Sequence, residues 1–310
     1  MSEPSSSHPV FQRRFLGPRF WPLWIGVGLI QLLCLLPLPW LVATGAPLGR
    51  LFGHIAKNRR RVAAINLKLC FPEMPEADRE RLVNAHFAAL GAGLFETAAA
   101  WFTSDRQLHT VGDVVGLENL YAATADGSGA LLLTGHFTTM EIGSRYLCLS
   151  GVKLSGMYRP IDNPLLDYWM RHWREDRSKA PALPKDDLRG IVRALRQGAS
   201  MWYAPDQTLE APSALFVPFF GVPALTLTAT SKLAQMGRAR VVPFFPARVN
   251  GRYRVTVLPA LENFPSGDDA ADARRINAVL EDAIRECPEQ YFWVHKRFKY
   301  QPGDRRDIYD

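Results

Sequence analysis

Cysteine is scarce in this chain: four among 310 residues, at Cys34, Cys70, Cys148 and Cys287. None stands in a C-x-x-C pair, and no Cys/His cluster has zinc-ligand spacing, which argues against a dithiol redox motif and a structural zinc site. Each cysteine reads as a small buried hydrophobe, and a reducing compartment suits the folded part. Other signatures are missing as well. No G-x-S-x-G elbow supplies a serine nucleophile. Neither a P-loop nor a G-x-G-x-x-G after a strand supplies a phosphate cradle. No internal repeat or low-complexity linker divides the chain. The composition, 47% hydrophobic and 22% charged, excludes a disordered tail and a multi-span transporter.

Positive charge is in excess, with a formal net charge of +7. A basic surface attracts nucleic acid, anionic lipid or an acidic protein. The basic residues are dispersed and no nucleic-acid motif accompanies them, so no nucleic-acid partner is expected, and lipid and acidic proteins lead.

One stretch has no charge at all. Residues 20–49 contain no Asp, Glu, Lys or Arg, and their densest apolar part is 23–36. A spanning helix needs roughly 20 apolar residues, so the run is long enough. Arg13, Arg14 and Arg19 precede it; Arg50, Lys57, Arg59, Arg60 and Arg61 follow. Trp21, Trp24 and Trp40 lie near its ends, where indoles favour the membrane interface. Residues 1–49 are therefore expected to form a tail and a membrane anchor, and residues 50–310 a single folded domain. Pro37 and Pro39 leave open whether the anchor spans the bilayer or only enters it. The larger basic cluster on the C-terminal side places that domain on the cytoplasmic face.

Beyond the anchor, 50–69 and 75–101 have helical spacing. Strands are expected at 130–133, 152–158, 200–204, 240–245 and 253–258, and helices at 187–196, 226–236 and 270–286. Strands alternating with helices imply an α/β fold with a mostly parallel central sheet flanked by helices. In such sheets ligands bind beyond the carboxyl ends of the strands. His136, Arg159 and Asp206 each directly follow an expected strand, so one sheet edge should gather all three.

His136 and Glu141 stand five positions apart. Acyl transfer to a hydroxyl needs a base to take the hydroxyl proton, and imidazole suits that role near neutrality. A carboxylate on its other nitrogen would fix the tautomer and stabilise the imidazolium. Composition alone predicts about 0.7 such His–carboxylate spacings in a chain like this, so the spacing carries little by itself.

The surrounding residues carry more. The segment HFTTMEIGSR at 136–145 resembles the H-x4-D/E block of glycerolipid acyltransferases, in the Glu form of the lipid A secondary acyltransferases. Further segments agree with that narrower family in order and spacing. They are Asn66-Leu67 with Leu69-Cys70-Phe71-Pro72-Glu73, Tyr158-Arg159-Pro160 running on to Asp167, Trp202 through Gln207, and Pro288-Glu289-Gln290-Tyr291 through Lys299. The resemblance covers about 50–300 and extends to the N-terminal anchor. It implies an enzyme on the cytoplasmic side of a bacterial inner membrane, taking a fatty acyl chain from acyl carrier protein. The acceptor it implies is the free hydroxyl of a 3-hydroxyacyl chain on a lipid A precursor. It also implies His136 and Glu141 as the catalytic pair, Arg159 and Asp206 as substrate-binding, and no metal or organic cofactor, although Asp206 reads equally as a carboxylate that holds Arg159 or a backbone turn in place. An acidic carrier protein would be drawn to a basic face, and arginine binds phosphates and carboxylates well. Arg171, Arg174, Arg177 and Lys179 follow Arg159 and read equally as a solvated helix face. Two other readings stand beside this one: acylation of a lysophospholipid or another glycolipid, and a non-enzymatic protein that binds acyl chains.

Overall fold

The computed structural model describes residues 10–303 and 307–309. Residues 1–9 of the expected tail, together with 304–306 and 310, lie outside the described residues. Eleven α-helices run Trp21–Leu33 (α1), Leu38–Ile55 (α2), Lys57–Cys70 (α3), Glu76–Phe102 (α4), Asp105–His109 (α5), Leu117–Ala123 (α6), Met140–Leu149 (α7), Pro164–Ser178 (α8), Leu188–Arg196 (α9), Ala229–Gly237 (α10) and Asp269–Glu286 (α11) among the described residues. The strands are Gly112–Val115 (β1), Ala130–Leu133 (β2), Leu154–Tyr158 (β3), Leu183–Pro184 (β4), Ser200–Tyr203 (β5), Ala214–Phe219 (β6), Val222–Leu227 (β7), Arg240–Val249 (β8) and Arg252–Val257 (β9).

Seven strands form one sheet in the order β1-β9-β8-β2-β5-β3-β4, and β6 and β7 form a separate hairpin. Every pairing in the large sheet is parallel except β8 with β9, which are joined by the tight turn at Asn250-Gly251. The expected α/β class is what forms. The helix anticipated at 226–236 begins only at Ala229, because Thr226 and Leu227 complete β7.

β2 is the central strand, and its four apolar residues are all fully buried. Leu131 and Leu133 enter the cluster on one face of the sheet, and Ala130 and Leu132 the cluster on the other. A strand covered on both faces needs an unbroken apolar run, which this segment supplies.

The N-terminal run does not form the expected single membrane helix. It is broken into α1 and α2, and no helix among the described residues is long and apolar enough to cross a membrane. α1 has 13 residues, about 20 Å at 1.5 Å per residue against roughly 30 Å of hydrocarbon. The break has a local cause. Pro37 lacks an N–H and pushes the residue before it toward extended backbone, and Pro39 starts the next helix. α2 then continues through residues 49 and 50 and packs along α4. Gly45, Gly49 and Gly53 face Phe87, Gly91 and Ala92 there. A Cβ on Gly49 would sit 2.0 Å from the Phe87 carbonyl oxygen, so backbone meets backbone.

Candidate active site

Register brings the chemistry together. Leu133 of β2 pairs with Tyr203 of β5, so His136 and Asp206 each stand three residues beyond the same rung. Gly156 of β3 pairs with Trp202 of β5, which carries Arg159 to nearly the same level. Three adjacent parallel strands thus release His136, Asp206 and Arg159 at one edge, as their positions after the expected strands imply.

The contact between the first two is direct. Asp206 Oδ1 lies 2.5 Å from His136 Nδ1, and Asp206 Oδ2 accepts the His136 backbone N–H at 2.8 Å. Asp206 is 2% exposed, whereas the His136 side chain is 22% exposed. With Nδ1 engaged by the carboxylate, Nε2 is the nitrogen left to face solvent; no group among the described residues hydrogen-bonds to it. The electrostatics follow from burial and this pairing. Burial alone would raise the Asp206 pKa, but the imidazole's charge and hydrogen bonds overcome it and hold the carboxyl at about 2. Burial pulls the His136 pKa down, and Asp206 outweighs it, leaving the imidazole above its ordinary value.

The C-terminal segment braces this pair. Phe292 N–H donates to the His136 carbonyl at 2.9 Å, and Thr138 N–H to the Gln290 carbonyl at 2.7 Å. Tyr291 is buried beside Asp206, and burial foremost, with the carboxylate's charge, raises its phenol pKa. His295 Nε2 accepts the Thr208 N–H at 3.0 Å, and burial foremost lowers its pKa to about 4, so it stays neutral and supports the Asp206 loop.

Glu141 takes a different partner from the one its spacing suggests. The carboxylate on the imidazole is that of Asp206. Glu141, in the first turn of α7, forms an ion pair with Arg174 of α8 and accepts the Trp101 indole N–H at 3.2 Å. The physical reason is topological: Glu141 leaves along a helix, while β5 delivers Asp206 beside β2 in register. The arginines of α8 are not simply a solvated face: Arg177 donates to the Trp101 carbonyl at 2.9 and 3.1 Å, and Arg171 lies 3.5 Å from Glu175, whereas Lys179, just past the helix, is exposed and pairs with exposed Asp176 at 3.0 Å. The helix itself starts at Asn163, whose side chain accepts the N–H groups of Leu165 and Leu166 with Pro164 in the first turn.

His136, Glu141, Arg159 and Arg174 all line one cavity of about 310 Å³. Trp101, Tyr158 and Trp202 wall it, together with the apolar side chains of Leu154, Met157 and Met170. Arg159 is exposed at this cavity and has no polar partner among the described residues. The described residues contain no group of three or more His, Cys, Asp or Glu side chains able to hold a metal. The arrangement is an imidazole hydrogen-bonded to a buried carboxylate at the wall of a partly cationic cavity.

The sequence matches the family described as bacterial lipid A biosynthesis acyltransferase over residues 8–300. The chain belongs to that family. This acyltransferase is 40% identical over 297 residues to the lipid A biosynthesis lauroyltransferase of Escherichia coli (strain K12), covering 95% of this chain and 96% of the relative. It is 37% identical to a lipid A biosynthesis acyltransferase of Haemophilus influenzae, covering 97% and 98% of the two chains. It is 32% identical to the lipid A biosynthesis myristoyltransferase of E. coli, covering 97% and 96%. Sequence reasoning about this acyltransferase missed Arg174 and Trp101 as partners of Glu141. Nothing in linear spacing links α4, α7 and α8.

Proposed function

We propose that this acyltransferase moves a fatty acyl chain from acyl carrier protein to the free hydroxyl of a 3-hydroxyacyl chain on a lipid A precursor. His136 Nε2 takes the hydroxyl proton as the oxygen attacks the thioester carbonyl. The C–O bond forms, the C–S bond breaks, and the imidazolium returns its proton to the departing thiolate. Asp206 is a positioning residue in this scheme: it holds the tautomer that presents Nε2 and stabilises the imidazolium. Glu141 keeps a place in the machinery by holding Arg174 and Trp101 in the pocket wall. Arg159 offers an unengaged guanidinium to the anionic groups of a phosphorylated lipid. The His136–Asp206 hydrogen bond, on the wall of a cavity lined by both apolar and cationic side chains, carries the reading.

The same reading sets the protein on the cytoplasmic surface of an inner membrane. α1 has no buried residue, and Trp21, Ile25, Leu29 and Leu32 on it are exposed, as are Trp40, Leu48, Leu51 and Phe52 on α2. An apolar surface of that extent needs a partner, and a helix too short to span is suited to lying in the interface.

The test is transfer with purified protein, acyl-loaded carrier protein and a lipid A precursor, followed by mass spectrometry of the product. His136→Ala and Glu141→Ala are each expected to lower turnover by about 10²-fold or more while circular dichroism stays native. Near-normal turnover by folded H136A would overturn the mechanism, and preferential transfer to a lysophospholipid would replace the acceptor.

A further inference from the structure

Two neighbouring helices carry positive charge and none of the opposite sign. α9 and α10 contain no Asp or Glu. Arg189, Arg193 and Arg196 stand at i, i+4 and i+7 and share one exposed face of α9. Lys232 is exposed on α10, and Arg238 is exposed just past its end. The helices lie side by side: Arg196 donates to the Met236 carbonyl at 2.7 Å, and a Cβ on Gly237 would meet the Leu195 side chain at 2.8 Å. Two apolar side chains sit among the charges, Leu188 at 55% and Met236 at 43% exposure.

Among the described residues no carboxylate pairs with this charge. The side chains of Arg189, Arg193, Lys232 and Arg238 have neither an ion pair nor a hydrogen bond there. Asp187, just before α9, is occupied by its cap and accepts the Gly190 N–H at 2.9 Å, and Asp186 lies 3.8 Å from Lys185. Asp272 of α11 is buried and accepts the Ser231 hydroxyl at 2.9 Å. Like charges held together repel one another, and an anionic partner relieves that repulsion while it binds.

We infer that the α9–α10 surface is where the acidic acyl carrier protein docks to deliver the donor. The inference rests on the function proposed above, which names that donor. The charge is complementary, and apolar anchors set among cations suit a protein partner. Position favours a protein over the bilayer. Ile191, Leu195, Leu233 and Ala234 fix α9 and α10 to the hydrophobic cluster on one face of the sheet, whereas Leu38 and Leu41 of α2 belong to the cluster on the other. The cations that do adjoin the apolar surface are Arg50 and Lys57, beside exposed Leu51, Phe52 and Ile55, and these match lipid headgroups. Reach is also suitable. Lys185 N–H donates to the Tyr158 carbonyl at 2.8 Å, so α9 begins beside the strand end that carries Arg159. Its nine residues then run about 13 Å along the flank. An acyl group borne on the carrier's long arm can pass over that edge toward His136 while the carrier itself stays on the water side.

Steady-state rates with Arg189→Glu combined with Arg193→Glu test this, since both side chains are exposed and their reversal leaves the core intact. For the unaltered protein, kcat/KM toward the carrier-borne donor should fall as salt is raised. In the double variant it should fall about tenfold at low salt, the low end of electrostatic enhancement, and lose most of its salt dependence. The acceptor KM and the rate with a carrier-free acyl-pantetheine thioester should not change, and Arg193→Lys, which keeps the charge, should behave as the unaltered protein. An unchanged constant for the carrier-borne donor would overturn the inference. So would an equal loss with the carrier-free thioester, which would signal a damaged site. Weaker binding to anionic vesicles with normal carrier kinetics would assign the surface to lipid and overturn it as well. If the unaltered protein uses the carrier-free thioester but never the carrier-borne donor, the donor proposed above fails first, and that outcome is visible before any variant is made.

Discussion

Asp206 governs how His136 titrates. In the proposed mechanism the deprotonated imidazole is the competent form, so activity should fall as pH drops through its pKa. Because Asp206 raises that pKa, the acid limb of kcat/KM should lie above the ordinary imidazole value of 6.5. In Asp206→Asn the charge is gone, the acid limb should move to lower pH, and the plateau should fall by about 10²-fold or more. A pH profile of kcat/KM for both proteins checks this; a limb that does not move would assign the titration to another group. The linkage to stability runs in the opposite sense for the two partners. The raised His136 pKa contributes stability that is complete below the unfolded value and lost as pH rises through the folded one. The depressed Asp206 pKa contributes above the unfolded carboxyl value, and that contribution is lost as pH falls toward about 2. At this scale the sequence paired His136 with the nearer carboxylate, whereas the structure sets Asp206 against its imidazole. A hydrogen bond depends on distance in space, and parallel pairing brings residue 206 closer to the imidazole than a helix brings 141.

At the scale of elements, the α2–α4 contact depends on missing side chains. A Cβ on Gly91 would lie 2.1 Å from the Gly45 carbonyl oxygen, with no side-chain end to yield. Gly91→Ala must push the helices apart and is expected to cost about 1–3 kcal/mol. Gly26 of α1 has open space at its Cβ position, so Gly26→Ala should be neutral or slightly stabilising through helix propensity. Denaturant unfolding of the two variants in detergent distinguishes them; equal stability would mean that the close packing contributes nothing. Gly45 and Gly49 stand four apart within the uncharged run, where they read as part of an anchor, and Gly53 follows four residues on. Their role emerges only with the opposing Phe87–Gly91 surface of α4 in place.

For the whole molecule, one surface remains apolar while the sheet and its two hydrophobic clusters are already closed over. α1 packs against α8 through Trp24 and Trp169, whose rings lie 4.8 Å apart, with Leu23 and Val27 in the same cluster, and turns Ile25, Leu29, Ile30, Leu32 and Leu33 outward. Leu29→Glu combined with Leu32→Glu should leave the fold unchanged, since both residues are exposed. The pair should lower binding to anionic lipid vesicles by more than tenfold, each leucine contributing roughly 1.5–3 kcal/mol when buried. Sedimentation with vesicles measures it, and undiminished binding would locate the membrane contact elsewhere.

Local chemistry alone determined a good deal. An unbroken apolar run makes β2 a central strand, alternating periods make an α/β sheet, and residues directly after strands collect at one edge whatever their sequence separation. Prolines within the N-terminal run left spanning undecided at that level. The tertiary structure decided the rest: that the run is two helices with α2 bound to α4, that Asp206 rather than Glu141 meets the His136 imidazole, and that Glu141 pairs with Arg174. These outcomes depend on which segments become neighbours, and neighbours across the fold are set by packing, which no local pattern encodes.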